Sequence, residues 1–291
     1  MSDLPILVPL CNGTDYHGSD GEEQIRRALR VACSLRGSTV RMVALVYGFQ
    51  ARGLRRLREA GYDVIDRSEV PQHKFSLMPF LVPSRHTSTS PAPFLPSPEA
   101  GRRWHPSVTV QQRRDFKCTS LKLLAWNLTA FSRILIVDSD IFLLEDPVPW
   151  LQTHRHHHFV AQPERASRAW IGIRSNLLLI KPSEDVFQIL RDNAVTGGFL
   201  PYTNGDQDVI ESVFSAHKQY PPMPRHLHRK TDELRDLVCG GRERPIDEES
   251  HCNAACYTRL RRCGISCGSP DVRTRVVRGG RTFTFTQHRT K

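Results

Sequence analysis

The segment Ile134-Leu135-Ile136-Val137-Asp138-Ser139-Asp140 constrains this chain most, because four apolar residues give way at once to two carboxylates. A short, wholly apolar run of this kind reads as a strand buried on both faces, as a parallel sheet requires. In an open parallel sheet the ligand crevice lies beyond the carboxyl ends of the strands, so Asp138 and Asp140 would open into it. If the extended conformation persists through Ser139, side chains 138 and 140 point the same way. Two converging carboxylates give a hard cation such as Mg2+ or Mn2+ the oxygen ligands it prefers, and the cation can balance charge on a departing diphosphate. A loop that merely begins with Asp-Ser-Asp is the plainer alternative. The buried strand ahead of it is what lends the cation reading its weight.

Strand and helix signals alternate in the first 70 residues. Ile6-Leu7-Val8 reads as a buried strand, and Ile25, Ala28, Leu29 and Ala32 form a helical apolar face at spacings of three and four. Val40 to Val46 is a second strand, Leu54, Leu57 and Ala60 mark a helix closed by Gly61, and Val64-Ile65 is a third strand. This alternation predicts an α/β fold with a mostly parallel sheet and helices on both faces. Residues 71–115 break the pattern, and the Ser-, Pro- and Thr-rich run Ser84 to Pro98 marks them as an insertion or lid. Further on, Leu121, Leu124, Ala125 and Leu128 share a helical face, and Leu177 to Ile180 is a strand. Val186, Ile189 and Leu190 mark a helix, as do Val209, Ile210, Val213 and Phe214. At 291 residues the whole reads as a single domain, 1–291, carrying insertions.

Asn204-Gly205-Asp206-Gln207-Asp208 precedes the last of these helices. Helix capping by Asn204 or Asp206 is the favoured reading, and an Asp-Gln pair holding sugar hydroxyls is the functional one. The run His154-Arg155-His156-His157-His158 reads as a solvated surface turn rather than a metal site. The net charge of +11 is spread along the chain, which favours a solvated basic surface over a steering field for an anionic substrate. No stretch interleaves Arg or Lys with stacking aromatics, so no nucleic acid partner is expected. No apolar run approaches the roughly 18–20 residues of a membrane span, and Met1-Ser2-Asp3 begins nothing like a signal peptide. The expectation is cytoplasmic, with a secretory lumen as the alternative if the N-terminus is incomplete.

Of eight cysteines, Cys11, Cys33 and Cys118 stand apart and read as small core residues. The other five lie in 239–267, a Cys-rich insertion. Cys252, Cys256, Cys263 and Cys267 place paired thiols one helical turn apart, a spacing open to structural Zn2+, to disulfides or to neither.

The run Lys122-Leu123-Leu124-Ala125-Trp126, followed by Val137-Asp138-Ser139-Asp140, resembles the core of the glycogenin-like, family-eight glycosyltransferases, in which a Lys-x-x-x-Trp helix precedes a strand ending in Asp-x-Asp. Arg174-Ser175-Asn176-Leu177 stands where that family has Asn-Ser-Gly-Val, Lys181-Pro182-Ser183 matches the strand exit, and Gly205-Asp206-Gln207 matches its Gly-Asp-Gln. Leu10 to Tyr16 is similar to the family's uridine-binding segment, with Tyr16 at the base-stacking position. The likeness covers about residues 5–70 and 117–215.

The resemblance implies a GT-A (Rossmann-like) domain and retaining transfer of a hexose from a UDP-sugar, with Mn2+ or Mg2+, to a glycan, protein or small-molecule acceptor. It implies metal ligation by Asp138 and Asp140, and donor contacts from Leu10, Asn12, Tyr16, Lys122 and Ser139. Asp206 would hold the donor sugar and Gln207 would sit near its anomeric carbon. The chain departs from the pattern at Arg174 and Asn176, which replace Asn and Gly. The family's closing metal-binding His falls, counted without gaps, on Phe285; His288 is the candidate third ligand after a local shift. A catalytically inactive sugar-nucleotide-binding or scaffold protein of the same fold is the alternative. A zinc-containing nucleic-acid binder built on 239–267 is a third reading.

Overall fold

The structure, a computed structural model, describes residues 4–13, 20–68, 118, 120–167, 170–196, 205–214, 228–230, 262–263, 275–278 and 281–284. The proposed 71–115 insertion, Tyr16, His288, Cys252, Cys256 and Cys267 lie outside these residues. The chain divides into two compact units, 1–228 and 229–291.

In the first unit, strands β1 (Ile6–Cys11), β2 (Met42–Tyr47), β3 (Tyr62–Asp66) and β4 (Ile134–Val137) alternate with helices α1 (Gly21–Ser34) and α2 (Ala51–Glu59). A short strand, β5 (Ile141–Leu143), and helix α3 (Val148–His154) follow β4, and then come β6 (Phe159–Ser167) and β7 (Trp170–Ile180). Helices α4 (Glu184–Thr196) and α5 (Asp206–Val213) close the series. Six strands form one sheet in the order β3-β2-β1-β4-β7-β6. The β3-β2, β2-β1 and β1-β4 pairs are parallel, and β4-β7 and β7-β6 are antiparallel. This is the mostly parallel α/β sheet that the strand-helix alternation of the sequence predicts.

The apolar runs explain the layers. All four residues of β4 are fully buried, as are Ile6, Leu7 and Val8 of β1, because helices cover both faces of the sheet. One core layer gathers Ala28, Val31, Leu57 and Leu151 from α1, α2 and α3. The other gathers Leu190 and Ala194 of α4, Val209 and Ile210 of α5, and the segment around Trp126. Asp20 caps α1 by accepting from the Glu23 amide, 2.9 Å away. The Tyr62 hydroxyl donates to the Ala28 carbonyl at 2.7 Å and ties β3 to α1. Gly21 sits where a Cβ would fall 2.1 Å from Asn12 Oδ1, so a larger residue would displace the Asn12 side chain that bonds to Gly48.

Several expectations need correction. Residues 120–127 form a 3-10 helix, Ser120–Asn127, and Leu121 through Trp126 are buried all round, so no single apolar face exists there. The Leu177–Ile180 strand is the last part of the longer β7, whose preceding residues Trp170–Asn176 carry Gly172 and the polar run Arg174-Ser175-Asn176, with Ile171 to Arg174 paired to β6. Ile189 is half-exposed, while Val186 and Leu190 take the core side of α4. The cysteine reading changes most. Cys11 and Cys118 form a disulfide across a sequence separation of 107, and Cys33 is also disulfide-bonded, so none of the three is a free core thiol. Closing a loop of that length constrains the unfolded chain by about 4–5 kcal/mol in the chain-entropy account.

In the second unit, β9 (Arg275–Arg278) and β10 (Arg281–Thr284) form an antiparallel hairpin, with β8 (His228–Lys230) at the unit boundary. Cys263 is disulfide-bonded, which removes it from the candidate zinc set, because a disulfide sulfur carries no thiolate charge to give the metal. Among the described residues, no helix is long and apolar enough to cross a membrane.

Because β4 is the fully buried centre of this sheet, Ile136→Ala should lower unfolding free energy by about 3 kcal/mol. Urea denaturation checks this: the midpoint should drop with the slope unchanged.

Candidate functional site

The chain runs β1, β2, β3 outward on one side of the sheet and then returns to place β4 on the other side of β1. The crevice of such a sheet lies at that reversal, beyond the carboxyl ends of β1 and β4. Residues 12–13 follow β1 there, and Asp138-Ser139-Asp140 follow β4.

Lys122, on the buried 3-10 helix, organises this end of the sheet. Its Nζ lies 2.7 Å from Asp138 Oδ1 and 2.9 Å from Asp206 Oδ2. The same ammonium donates to the Ser175 carbonyl at 2.9 Å and stands 3.3 Å from the Ser175 hydroxyl. The Lys122 side chain is 7% exposed and that of Asp206 10%, so this ion pair is removed from solvent. Burial works against the Lys122 ammonium, yet Asp138 and Asp206 outweigh it and hold its pKa above the usual lysine value. Three segments distant in sequence thereby meet on one cation: the end of β4, the middle of β7 and the start of α5.

Asp206 is the first residue of α5, and Gly205 is the N-cap with no side-chain capping bond. Asp206 is therefore not the cap, and its carboxylate pairs with Lys122 instead, while Asn204 lies outside the described residues. Gln207 Oε1 accepts from the Ser175 amide at 3.4 Å. One turn on, Glu211 accepts from the Ile173 amide and secures α5 to β7.

Asp138 to Asp140 is a turn rather than extended chain, with the Ile141 amide donating to the Asp138 carbonyl at 3.0 Å. The two carboxylates come close through that turn and not through strand alternation. Asp138 has its pKa pushed up to about 6, by burial first and then by repulsion from Asp140 and Asp206, against the opposing pull of Lys122. One ammonium among three carboxylates leaves surplus negative charge at the strand end. Such a donor set is of the kind that could hold a hard divalent cation, for which Asp138 and Asp140 would be the carboxylate ligands. Asn176 adds an oxygen nearby. Its carbonyl accepts from the Asp138 amide at 3.0 Å, and its side-chain Oδ1 is buried without a hydrogen-bond partner. No cluster of three or more His, Cys, Asp or Glu side chains able to hold a metal occurs among the described residues.

On the β1 side, Leu10 is buried in the core, so its side chain faces away from any ligand. Asn12 is exposed and fixed, with its Nδ2 donating to the Gly48 carbonyl at 2.8 Å and its amide to the Tyr47 carbonyl at 2.8 Å. Ser139 is the partly exposed middle of the acidic turn. Lys122, Asp138, Asp140, Asp206 and Gln207 are thus brought together, with Ser175 between them. Sequence reasoning missed Ser175 and Glu211 as partners of this cluster. The only signal for Ser175 was its place in Arg174-Ser175-Asn176.

No family model matches the chain. It is 26% identical over 107 residues to a protein of Arabidopsis thaliana assigned as UDP-glucuronate:xylan alpha-glucuronosyltransferase 3, a match covering 37% of this chain and 15% of that protein. It is similar to the solved glycosyltransferase GlyE of Streptococcus pneumoniae, at 17% identity, covering 76% of this chain and 46% of that one, with a TM-score of 0.45. It is also similar to the galactosyltransferase LgtC, solved with donor and acceptor sugar analogs, at 14% identity, 72% and 70% coverage and a TM-score of 0.45. GlyE and LgtC are both glycosyltransferases. At such scores the fold rests on the chain's own sheet order, not on these likenesses. The chain spans only a small part of its curated relative and under half of GlyE.

Lys122→Met strands two carboxylates without their cation and should cost about 3–5 kcal/mol at pH 7.5. Because the folded pKa of Asp138 is raised, its contribution to stability is present below the ordinary carboxylate value and lost as pH rises through about 6. The penalty of Lys122→Met should therefore shrink toward pH 5, where the stranded carboxyls take up protons. Urea titrations of both proteins at the two pH values measure it.

Proposed function

We propose that the chain is a metal-dependent, retaining glycosyltransferase that moves a hexose from a UDP-sugar to an acceptor hydroxyl. The observation that carries this reading is the buried Lys122, bridging Asp138 beside the acidic turn and Asp206 at the head of α5. The bridge gathers, at the sheet's crevice, the residues that the family resemblance assigns to metal and donor sugar. Mn2+ or Mg2+, held by Asp138 and Asp140, would act as a Lewis acid on the leaving diphosphate. Lys122 neutralises Asp138 on the inner side, so that the carboxylate is fixed in direction while its outer edge stays partly open to solvent. Asp206, locked by the same ammonium, has a fixed position from which to accept from donor-sugar hydroxyls. Gln207 is held against the Ser175 amide and orients beside it. Asn12, pinned to the end of β2, offers a rigid edge for the nucleoside. The disulfide-bonded state of Cys11, Cys33, Cys118 and Cys263 supports folding in an oxidising compartment over the cytosol.

A screen of UDP-sugars with purified protein tests the proposal by measuring released UDP. Release should require Mn2+ or Mg2+, stop with chelator and fall roughly 100-fold or more in Asp140→Asn, since the metal supplies several kcal/mol to the transition state. Release should also decline as pH drops through about 6, because protons then compete with metal for Asp138. Tight UDP-sugar binding without turnover would favour the non-catalytic reading. Absence of both binding and turnover would defeat the proposal.

A further inference from the structure

We infer that the Cys11–Cys118 disulfide is a positioning element of the site, a clamp that holds the Lys122 helix against the edge of β1. The inference rests on the glycosyltransferase reading only for its consequence on donor binding; the clamp itself stands on geometry.

Cys11 is the last residue of β1, and Cys118 comes just ahead of the 3-10 helix that carries Lys122. The bond therefore joins the two flanks of the crevice, nucleoside edge and cation-bearing helix, next to the residues that matter on each. The β1 side of the clamp is immobilised independently. The Cys11 amide donates to Gln24 Oε1 at 3.1 Å, and Gln24 Nε2 donates to the Gly13 carbonyl at 3.2 Å, so one α1 side chain braces both sides of Asn12. Asn12 is in turn bonded to the Tyr47 and Gly48 carbonyls. A bridge fixed to so stiff an anchor transmits that position to whatever it holds. Gly13 is shaped to the bridge: a Cβ there would stand 2.9 Å from Cys118 Sγ, closer than a side chain tolerates.

A crosslink needed only to shorten the unfolded chain would work equally well anywhere along the sheet. This one lies at the carboxyl end of β1, where the fold opens to ligand. Cys11 is 5% exposed and Cys118 is only partly buried, so a thiol reductant meets the bond from the Cys118 side. Attack of an external thiolate on Cys118 Sγ forms a mixed disulfide and expels the Cys11 thiolate. A second external thiol then releases Cys118, so two thiols are oxidised to one disulfide as the protein bond is reduced. The released 3-10 helix keeps Lys122 on its carboxylates but loses its tether to the Asn12 loop.

The full-length Cys11→Ala/Cys118→Ala variant tests the clamp by hydrogen exchange. Amides in 120–127 should exchange at least about tenfold faster than in the parent, while those of Ile134–Val137 keep their protection. Donor KM should rise with kcat less affected. If the variant melts at lower temperature but 120–127 exchange as in the parent, the bond is a stability crosslink only and the inference is overturned. Should the variant not fold, Gly13→Ala, which keeps both cysteines and crowds the bridge, is measured the same way. Faster exchange confined to 11–13 and 120–127 supports the clamp, and unchanged exchange overturns it. Exchange requires no donor, so a parent protein that binds no UDP-sugar would sink the glycosyltransferase reading while leaving the clamp decided by its own result.

Discussion

A buried ammonium without counter-charge is intolerable in a protein core, so Lys122 dictates where three separate pieces of chain must meet. Its contacts with Asp138, Ser175 and Asp206 draw the end of β4, the middle of β7 and the head of α5 to one point. The antiparallel addition of β7 to β4 is what puts Ser175 within reach. Glu211, accepting the Ile173 amide, repeats the connection one turn further along α5. The site is thus built from the inside outward: charge is first satisfied in the core, and the surplus carboxylate charge is what remains to face a ligand.

That surplus is a matter of electrostatics in a poorly solvated place. Asp138 feels burial, Asp140 and Asp206 all in the direction of protonation, and Lys122 alone in the other. An isolated pair of acids on an open surface would repel only weakly through water's high dielectric and would have little appetite for a cation. Here the low-dielectric wall of β4, apolar at every position, preserves the repulsion between the carboxylates.

The sequence made β4 and its acidic end legible because an unbroken apolar run followed at once by carboxylates has few other meanings. The early strand-helix alternation was equally readable, since α1 carries a helical apolar face and β1 an unbroken apolar run. The conformation at Ser139 was not. Strand alternation predicts Asp138 and Asp140 on one side of an extended chain, whereas a hydrogen bond from Ile141 to Asp138 folds the chain into a turn. Most of β6 was not legible because pairing with β7, not hydrophobic pattern, defines it beyond Ala161, and the polar run Arg174-Ser175-Asn176 hid the continuity of β7. Asp206 looked like a helix cap because capping is decided locally, while its actual partner is set by tertiary approach of the Lys122 helix. The Cys11–Cys118 bond was invisible for the same reason: nothing local marks two cysteines separated by 107 positions as neighbours.

The central claim is that Asp138 and Asp140 share a divalent ion at the crevice formed by the sheet's reversal. Anomalous diffraction from crystals grown with Mn2+ and UDP tests it without reliance on turnover. The account predicts one strong manganese peak at bonding distance from both carboxylates, with the diphosphate completing its shell. Diphosphate bound in the crevice with manganese absent from that turn, or manganese bound elsewhere on the chain, would contradict it.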